Sequence, residues 1–240
     1  MIPMVTILDI IRFIAGISIL FYASYTDIKT RRAPNILWLI LGGLGLILLT
    51  LEYFLVDGFM NQWIYPLFIP IIIGIVYLFF QLRLIFGGAD AKAIMALAVL
   101  VPFEPVFFNF PVFSSLLPFS WVIFSNSIIL FLFVPISLFI YNAIKKDIRF
   151  PHCFLGYRMS LYKAKEKFVW PLERIENGKV YFSYVPHSFE SDDIYEEFEK
   201  IGMKHIWVTP KVPFMIPLSC GFIVSFFLGD ILSAIMQMMI

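Results

Sequence analysis

The sequence predicts an α-helical polytopic membrane protein: about six transmembrane helices, with a small cytoplasmic α+β domain inserted before the last span. Three observations lead there. Of the 240 residues, 60% are hydrophobic and only 15% charged, a balance outside that of soluble domains. Lys and Arg are absent from 33–82, from 93–144 and after Lys211, which leaves apolar stretches of the roughly 20 residues that a bilayer crossing needs. The segment 145–211, by contrast, carries twelve Lys/Arg, ten Asp/Glu and all three histidines, an ordinary soluble composition. The net charge of +1 gives no argument for a nucleic-acid partner.

The apolar stretches place spans near 5–26, 36–56, 64–86, 91–108, 121–144 and 213–240. The N-terminal MIPMVTILDI lacks a basic n-region and does not read as a cleaved signal peptide. In the first span Asp9 and Arg12 lie three residues apart, on one helical face, and are expected to pair near the membrane surface. The fourth span is short, because Pro102, Glu104, Pro105 and Pro111 turn its end into an outer loop. Basic loops stay inside. That rule puts Lys29/Arg31/Arg32, the Arg83–Lys92 turn and 145–211 in the cytoplasm. Glu52, Asp57 and Glu104 then fall in outer loops, and both termini lie outside.

The chain divides accordingly into a membrane domain at 1–144, a cytoplasmic domain at 145–211 and a last helix at 212–240. Inside the cytoplasmic segment, KFVWPLERI and KVYFSY flank Asn177-Gly178, a hairpin signal. SDDIYEEFEKIG predicts a helix capped by Ser191, with Asp192 and Asp193 complementing its dipole, an apolar face of Ile194/Phe198/Ile201, and a stop at Gly202. HIWVT predicts a final strand. Cys153 and Cys220 imply no disulfide. His152, His187 and His205 are too scattered for a metal site, and neither a metal nor an organic cofactor is implied.

Four acids sit in or beside the spans: Asp9, Asp27, Asp90 and Asp230. Asp9 has Arg12 as a partner. Asp230 lies 17 residues beyond Pro213, about 25 Å along a helix, and reads as an interfacial acid on the outer side. Asp27 and Asp90 differ from both. Asp27 ends the first span and Asp90 opens the fourth, so two spans return the chain to the same cytoplasmic face. Asp90 follows Gly87-Gly88, residues unfavourable within a helix and useful where backbone bends or something approaches closely. Two carboxylates near one another in a low-dielectric site share a proton, so that one serves as base and the other as acid. That suits an aspartic protease and a proton-coupled transporter equally, and the residues alone leave both open. A non-enzymatic assembly protein is a third reading. A transport path needs polar residues deep in several spans, and Ser125, Asn126 and Ser127 are the main polar cluster in spans two to five.

The motifs resemble those of a known family. GGADAK at 87–92 resembles the GxGD motif of membrane aspartic proteases, with Ala89 where that motif has its second glycine. TDIKTRRAPN at 26–35 is similar to the other half of the site in the type IV prepilin peptidase branch, and PFMIPL at 213–218 resembles its late proline-containing stretch. Length and topology look nearest to the archaeal preflagellin peptidases. The resemblance implies an endopeptidase with Asp27 and Asp90 as its catalytic pair. Gly87, Gly88 and Ala89 would let substrate backbone come close, and Pro213 and Pro217 would free backbone groups to hold an extended strand. It implies preflagellin or pilin-like precursors as substrates, cut beside a small residue such as Gly at the cytoplasmic boundary of the bilayer. It also implies no methyl transfer, since the cysteine-rich insert of the methylating bacterial enzymes is missing.

Overall fold

The computed structural model describes residues 3–56, 64–85, 87–106, 108–176, 178–183 and 191–239. Asp57, Asn177 and His187 lie outside the described residues, as do the side chains of Ser191, Asp192, Asp193 and Ile194. The chain is mostly helical with a small β region, and it forms two compact units. One comprises 1–131 and 213–240, the other 132–212.

The first unit contains α1 (Met4–Thr30), α2 (Asn35–Leu55), α3 (Ile64–Gln81), α4 (Gly88–Leu100), α5 (Phe119–Phe131), α10 (Met215–Phe227) and α11 (Ile231–Met239). Helix α1 stops where Arg31 turns left-handed at φ 54°, and Pro34 then fixes an extended residue that starts α2. Helix α4 is the centre. Its Ala91, Ala93, Ile94, Leu97, Ala98 and Leu100 are buried, and α1, α2, α3 and α5 all pack on it. Its small side chains permit this. Gly45 of α2 lies so close that a Cβ there would sit 2.7 Å from the backbone N and Cα of Leu100. Around this core the outer faces stay apolar: Ile14, Leu39, Ile47 and Phe54 are all more than half exposed. Three stretches, Met4–Thr30, Asn35–Leu55 and Phe119–Ile144, are long and apolar enough to cross a membrane, and Pro66–Gln81 and Met215–Phe227 are shorter apolar helices.

Several expected helices are shorter than the apolar runs that encode them. The third ends at Gln81, and the fourth at Leu100, ahead of Pro102 and Pro105. The fifth run is two helices, with α6 (Phe133–Ile144) following α5 after Leu132. The last run, expected as one helix over 213–240, breaks between α10 and α11. Gly229 takes φ +88° there, and the carbonyl of Phe113 occupies the space a Cβ would need. Asp230 is therefore a helix cap: its Oδ1 accepts the Leu232 N–H at 3.0 Å, and its Oδ2 accepts from Ser233 and Ser115. Glu52, expected in an outer loop, is instead buried in α2. There its Oε2 accepts from Arg12 Nη2 at 2.5 Å, while Arg12 Nη1 donates to Asp9 Oδ1 at 2.9 Å. The Asp9–Arg12 pair forms as expected, and Asp9 Oδ2 also accepts the Val106 N–H.

The second unit contains α6, α7 (His152–Leu155), β1 (Tyr157–Ser160), α8 (Leu161–Glu166), β2 (Val169–Pro171), β3 (Glu173–Glu176), β4 (Lys179–Phe182), α9 (Ser191–Lys200) and β5 (His205–Pro210). The antiparallel sheet runs β1-β5-β2, with Arg158 opposite Trp207 and Trp170 opposite Thr209. The expected hairpin is β3–β4, closed at Gly178 with φ +72°, but the apolar run before it splits at Leu172 so that β2 joins the other sheet. Helix α9 and strand β5 form where expected. Tyr195 and Phe198 of α9 are the buried pair; Ile201 falls beyond the helix end and is exposed. Met159, Leu161, Ala164, Val169, Ile206 and Val208 complete the core. Cys153 is buried and Cys220 exposed, and both are free thiols.

Candidate active site

Asp27 lies in the last turn of α1. Its backbone carbonyl accepts the Arg31 N–H at 3.0 Å, closing the helix. The macrodipole disfavours an acid at this end and favours the Lys29 that shares the turn. Helix termination therefore explains Lys29, whose ammonium stands 4.5 Å above the Tyr25 ring, and leaves Asp27 unexplained. Its side chain is half-buried.

Asp90 is the third residue of α4, also half-buried. An acid suits a first turn, and the residue that caps α4 is Gly87, which has no side chain to supply a cap bond. Gly87 precedes the helix, and a Cβ at that position would overlap the Asp90 carboxylate. The glycine is therefore required by the position of the acid. Gly88 is less constrained: a Cβ there would meet the Phe80 ring at ordinary contact distance, 3.6 Å. Ala89 packs its methyl group, half-buried, against the core.

Asp27 and Asp90 come from sequence positions 63 apart (90 − 27), and the charge of Asp27 acts repulsively on Asp90. A second link between the two motif stretches was not visible in the sequence. Lys92 Nζ donates to Asn35 Oδ1 at 2.8 Å, tying the start of α4 to the start of α2. A third involves α10. Ser24, one turn before Asp27, donates to the Met215 carbonyl at 2.9 Å and meets Ser219 Oγ at 2.9 Å. Pro213 and Pro217 lie at this end of α10. They begin the helix without interrupting it: Ile216 N–H bonds the Pro213 carbonyl and Leu218 N–H the Phe214 carbonyl. A proline in the first turn lacks an N–H that would be unpaired in any case.

The polar cluster of α5 is occupied by helix contacts. Asn126 Nδ2 donates to Ser225 Oγ and the Gly229 carbonyl, its Oδ1 accepts the Ile231 N–H, and Ser127 Oγ donates to the Ile123 carbonyl. The His152 ring lies tilted against Phe182, with centroids 3.7 Å apart, and His205 begins β5 on the surface. Among the described residues no group of three or more His, Cys, Asp or Glu could hold a metal ion.

Residues 14–144 match the type IV leader peptidase family, and residues 149–231 match the archaeal Peptidase A24 C-terminus, type II. The chain is 31% identical to the preflagellin peptidase of Methanococcus voltae over 95% of its own length and 100% of the relative's. It is 29% identical to that of Methanocaldococcus jannaschii, covering 92% of this chain and 94% of the relative. The preflagellin peptidase of Methanococcus maripaludis is 28% identical, at 92% and 96% coverage.

Proposed function

The chain belongs to the type IV leader peptidase family, and from that premise we propose that Asp27 and Asp90 are the catalytic pair of a membrane aspartic endopeptidase that removes the short basic leader of preflagellin or related pilin-like precursors. The observation that carries the assignment is the convergence of the two motif stretches. Asp27 feels the charge of Arg31, the residue that closes its own helix, its own charge reaches Asp90, and the Lys92–Asn35 bond joins the two stretches.

The chemistry follows from the pair. One carboxylate, ionised, takes a proton from a water molecule, whose oxygen attacks the scissile carbonyl carbon. The other, protonated, gives its proton to the carbonyl oxygen. The tetrahedral diol then collapses: one hydroxyl gives its proton to the ionised carboxylate as the C=O re-forms, the C–N bond breaks, the leaving amine takes the proton of the carboxylic acid, and the pair is left with one shared proton. Positioning and acid–base transfer supply the acceleration.

Six passages fit the fold if α4 and the residues after it make the fourth crossing, α5 and α6 the fifth and α10 the sixth. The Lys/Arg distribution orients Asp27, Asp90 and the 145–211 segment toward the cytoplasm. The scissile bond then lies at the cytoplasmic boundary, ahead of the substrate's apolar span. Helical backbone has no free carbonyl to offer, so the cut falls in an unwound stretch beside a small residue such as Gly. A transport role for the acid pair has less support, because Asn126 and Ser127 are committed to helix contacts.

The test is replacement of each acid by its amide. Asp27→Asn and Asp90→Asn should each abolish processing of a preflagellin in membranes, read by mass spectrometry of the new N-terminus, while the purified variants keep the wild-type melting temperature. Near-wild-type processing by either variant would remove the assignment.

A further inference from the structure

We propose that the second unit carries a site for the phosphate headgroup of an anionic phospholipid, in a basic groove along α6. The groove has about 690 Å³ of free volume. One wall is a single stripe of α6: Val134, Leu138, Tyr141 and Lys145 recur at helical spacing. The opposing wall is formed by β1 and α8, and it brings Arg158, Lys163 and Lys167 to face that stripe, with His205 of β5 at the edge.

The charge is one-sided. Lys145, Arg158, Lys163 and Lys167 line the groove, and among the described residues no Asp or Glu does. Three other cations of the unit stand against acids: Lys165 on Glu199 at 2.7 Å, Arg174 on Glu176 at 3.3 Å and Arg149 near Asp147 at 3.7 Å. Arg158 also acts electrostatically on Glu173, which does not line the groove. The lysine and arginine heads are exposed, and Lys145 lies 5.1 Å over the Tyr141 ring, which in turn meets Tyr157 at 5.5 Å. The floor is thus aromatic and the rim cationic, a fit for an anion attached to an apolar body.

The apolar part of that ligand is specified by α6. This helix continues the stretch Phe119–Ile144, apolar enough to cross a bilayer. Val134 and Leu138 therefore run from the groove toward hydrocarbon, and Lys145 marks the polar end. A soluble anion would use the bases and leave the apolar stripe bare; a phospholipid uses both. A second observation is independent of the groove. Ile148 and Phe150, 57% and 82% exposed, flank Arg149 just after Lys145, Lys146 and Asp147, and Tyr162, 73% exposed, precedes Lys163. Aromatic and aliphatic side chains interleaved with lysine suit the headgroup layer of an anionic membrane. The basic leader of a substrate is repelled by the same charges and is not the occupant.

The experiment uses the full-length protein in neutral detergent, stripped of lipid, and counts bound lipid by native mass spectrometry. Phosphatidylglycerol should be retained and phosphatidylcholine should not. Inorganic phosphate at the same concentration should neither bind measurably nor displace the lipid. Each groove base is worth about fivefold in affinity. The combined variant Arg158→Gln, Lys163→Gln, Lys167→Gln should therefore bind phosphatidylglycerol roughly a hundredfold more weakly. Lys179→Gln with Lys200→Gln, outside the groove, should bind as wild type. Asp90→Asn should also bind as wild type, which separates this result from any failure of the peptidase assignment. Binding to wild type should weaken steeply with salt, a readout that needs no variant. Equal retention of both lipids, full binding by the groove variant or salt-independent binding would each overturn the proposal. Binding of inorganic phosphate as tight as that of phosphatidylglycerol would overturn it too.

Discussion

Gly45 is where the fold can be tested against the site without touching an acid. In Gly45→Ala the new Cβ would lie 2.7 Å from the Leu100 N and Cα and 2.8 Å from the Val99 carbonyl carbon. Ordinary carbon contacts begin near 3.5–4.0 Å, so α2 and α4 must separate by about 1 Å. The atoms met are backbone, so no side-chain rotation relieves the overlap. Overpacking of this kind costs about 1–3 kcal/mol, while Gly→Ala within a helix returns up to about 1 kcal/mol. Gly43→Ala is the control, since a Cβ there meets nothing within 4 Å and only the helix gain remains. The two variants should differ by about 1–3 kcal/mol in unfolding free energy. Because α4 carries Asp90, a shift of about 1 Å should also slow processing about a hundredfold. The assays are denaturant unfolding in detergent and single-turnover cleavage of a preflagellin. Equal stability of the two alanine variants would refute the close approach. Loss of stability with full activity would show that α4 does not set the position of Asp90.

Gly87→Ala should keep the fold and lose most activity, because its Cβ displaces the Asp90 carboxylate and leaves the helix in place; a drop in melting temperature matching that of Gly45→Ala would argue against this. Lys92→Met and Asn35→Ala should each lower kcat severalfold, and the double variant should be no worse than either single one, since both remove one 2.8 Å bond. Additive losses would mean the two act separately. His152 is held below its ordinary pKa of 6.5, first by burial and then by the charge of Arg149. Its protonation is disfavoured in the folded state, so it contributes stability above 6.5 that is lost as pH falls through the ordinary value toward the lowered one. Thermal unfolding of the wild type should show that slope, and His152→Gln should flatten it.

The catalytic candidates were legible because acids at the edge of hydrocarbon, one of them beside two glycines, have few structural reasons to exist. The positive-charge gaps located the apolar helices, but not their ends. An apolar run continues through a helix break without changing composition, so the stop at Gly229 was hidden, whereas Pro102 and Pro105 announced the one after Leu100. Long-range partners were equally hidden. Glu52 reads as a loop acid until Arg12, 40 residues earlier, comes to meet it, and Lys92 reads as an inside anchor until it finds Asn35. In the 132–212 unit the hairpin turn, α9 and β5 carry local signals. β1, α7 and α8 are four to six residues long, too short to show a period, and they form because the sheet and Trp207 need covering.

The Arg12 cluster bears on how the protein enters the membrane. Within α1 the guanidinium meets Asp9 as soon as the helix forms, so this segment can be threaded with its charges matched. Helix α2 cannot: alone it carries the Glu52 carboxylate with no counter-ion, and it gains one only by folding back against α1. The link between them, Arg31 to Pro34, is a tight turn, which makes that folding back immediate. The two helices are therefore expected to enter a membrane as one helical hairpin rather than as two successive segments. A fragment ending between them would leave Arg12 with Asp9 alone and without its second acid, Glu52.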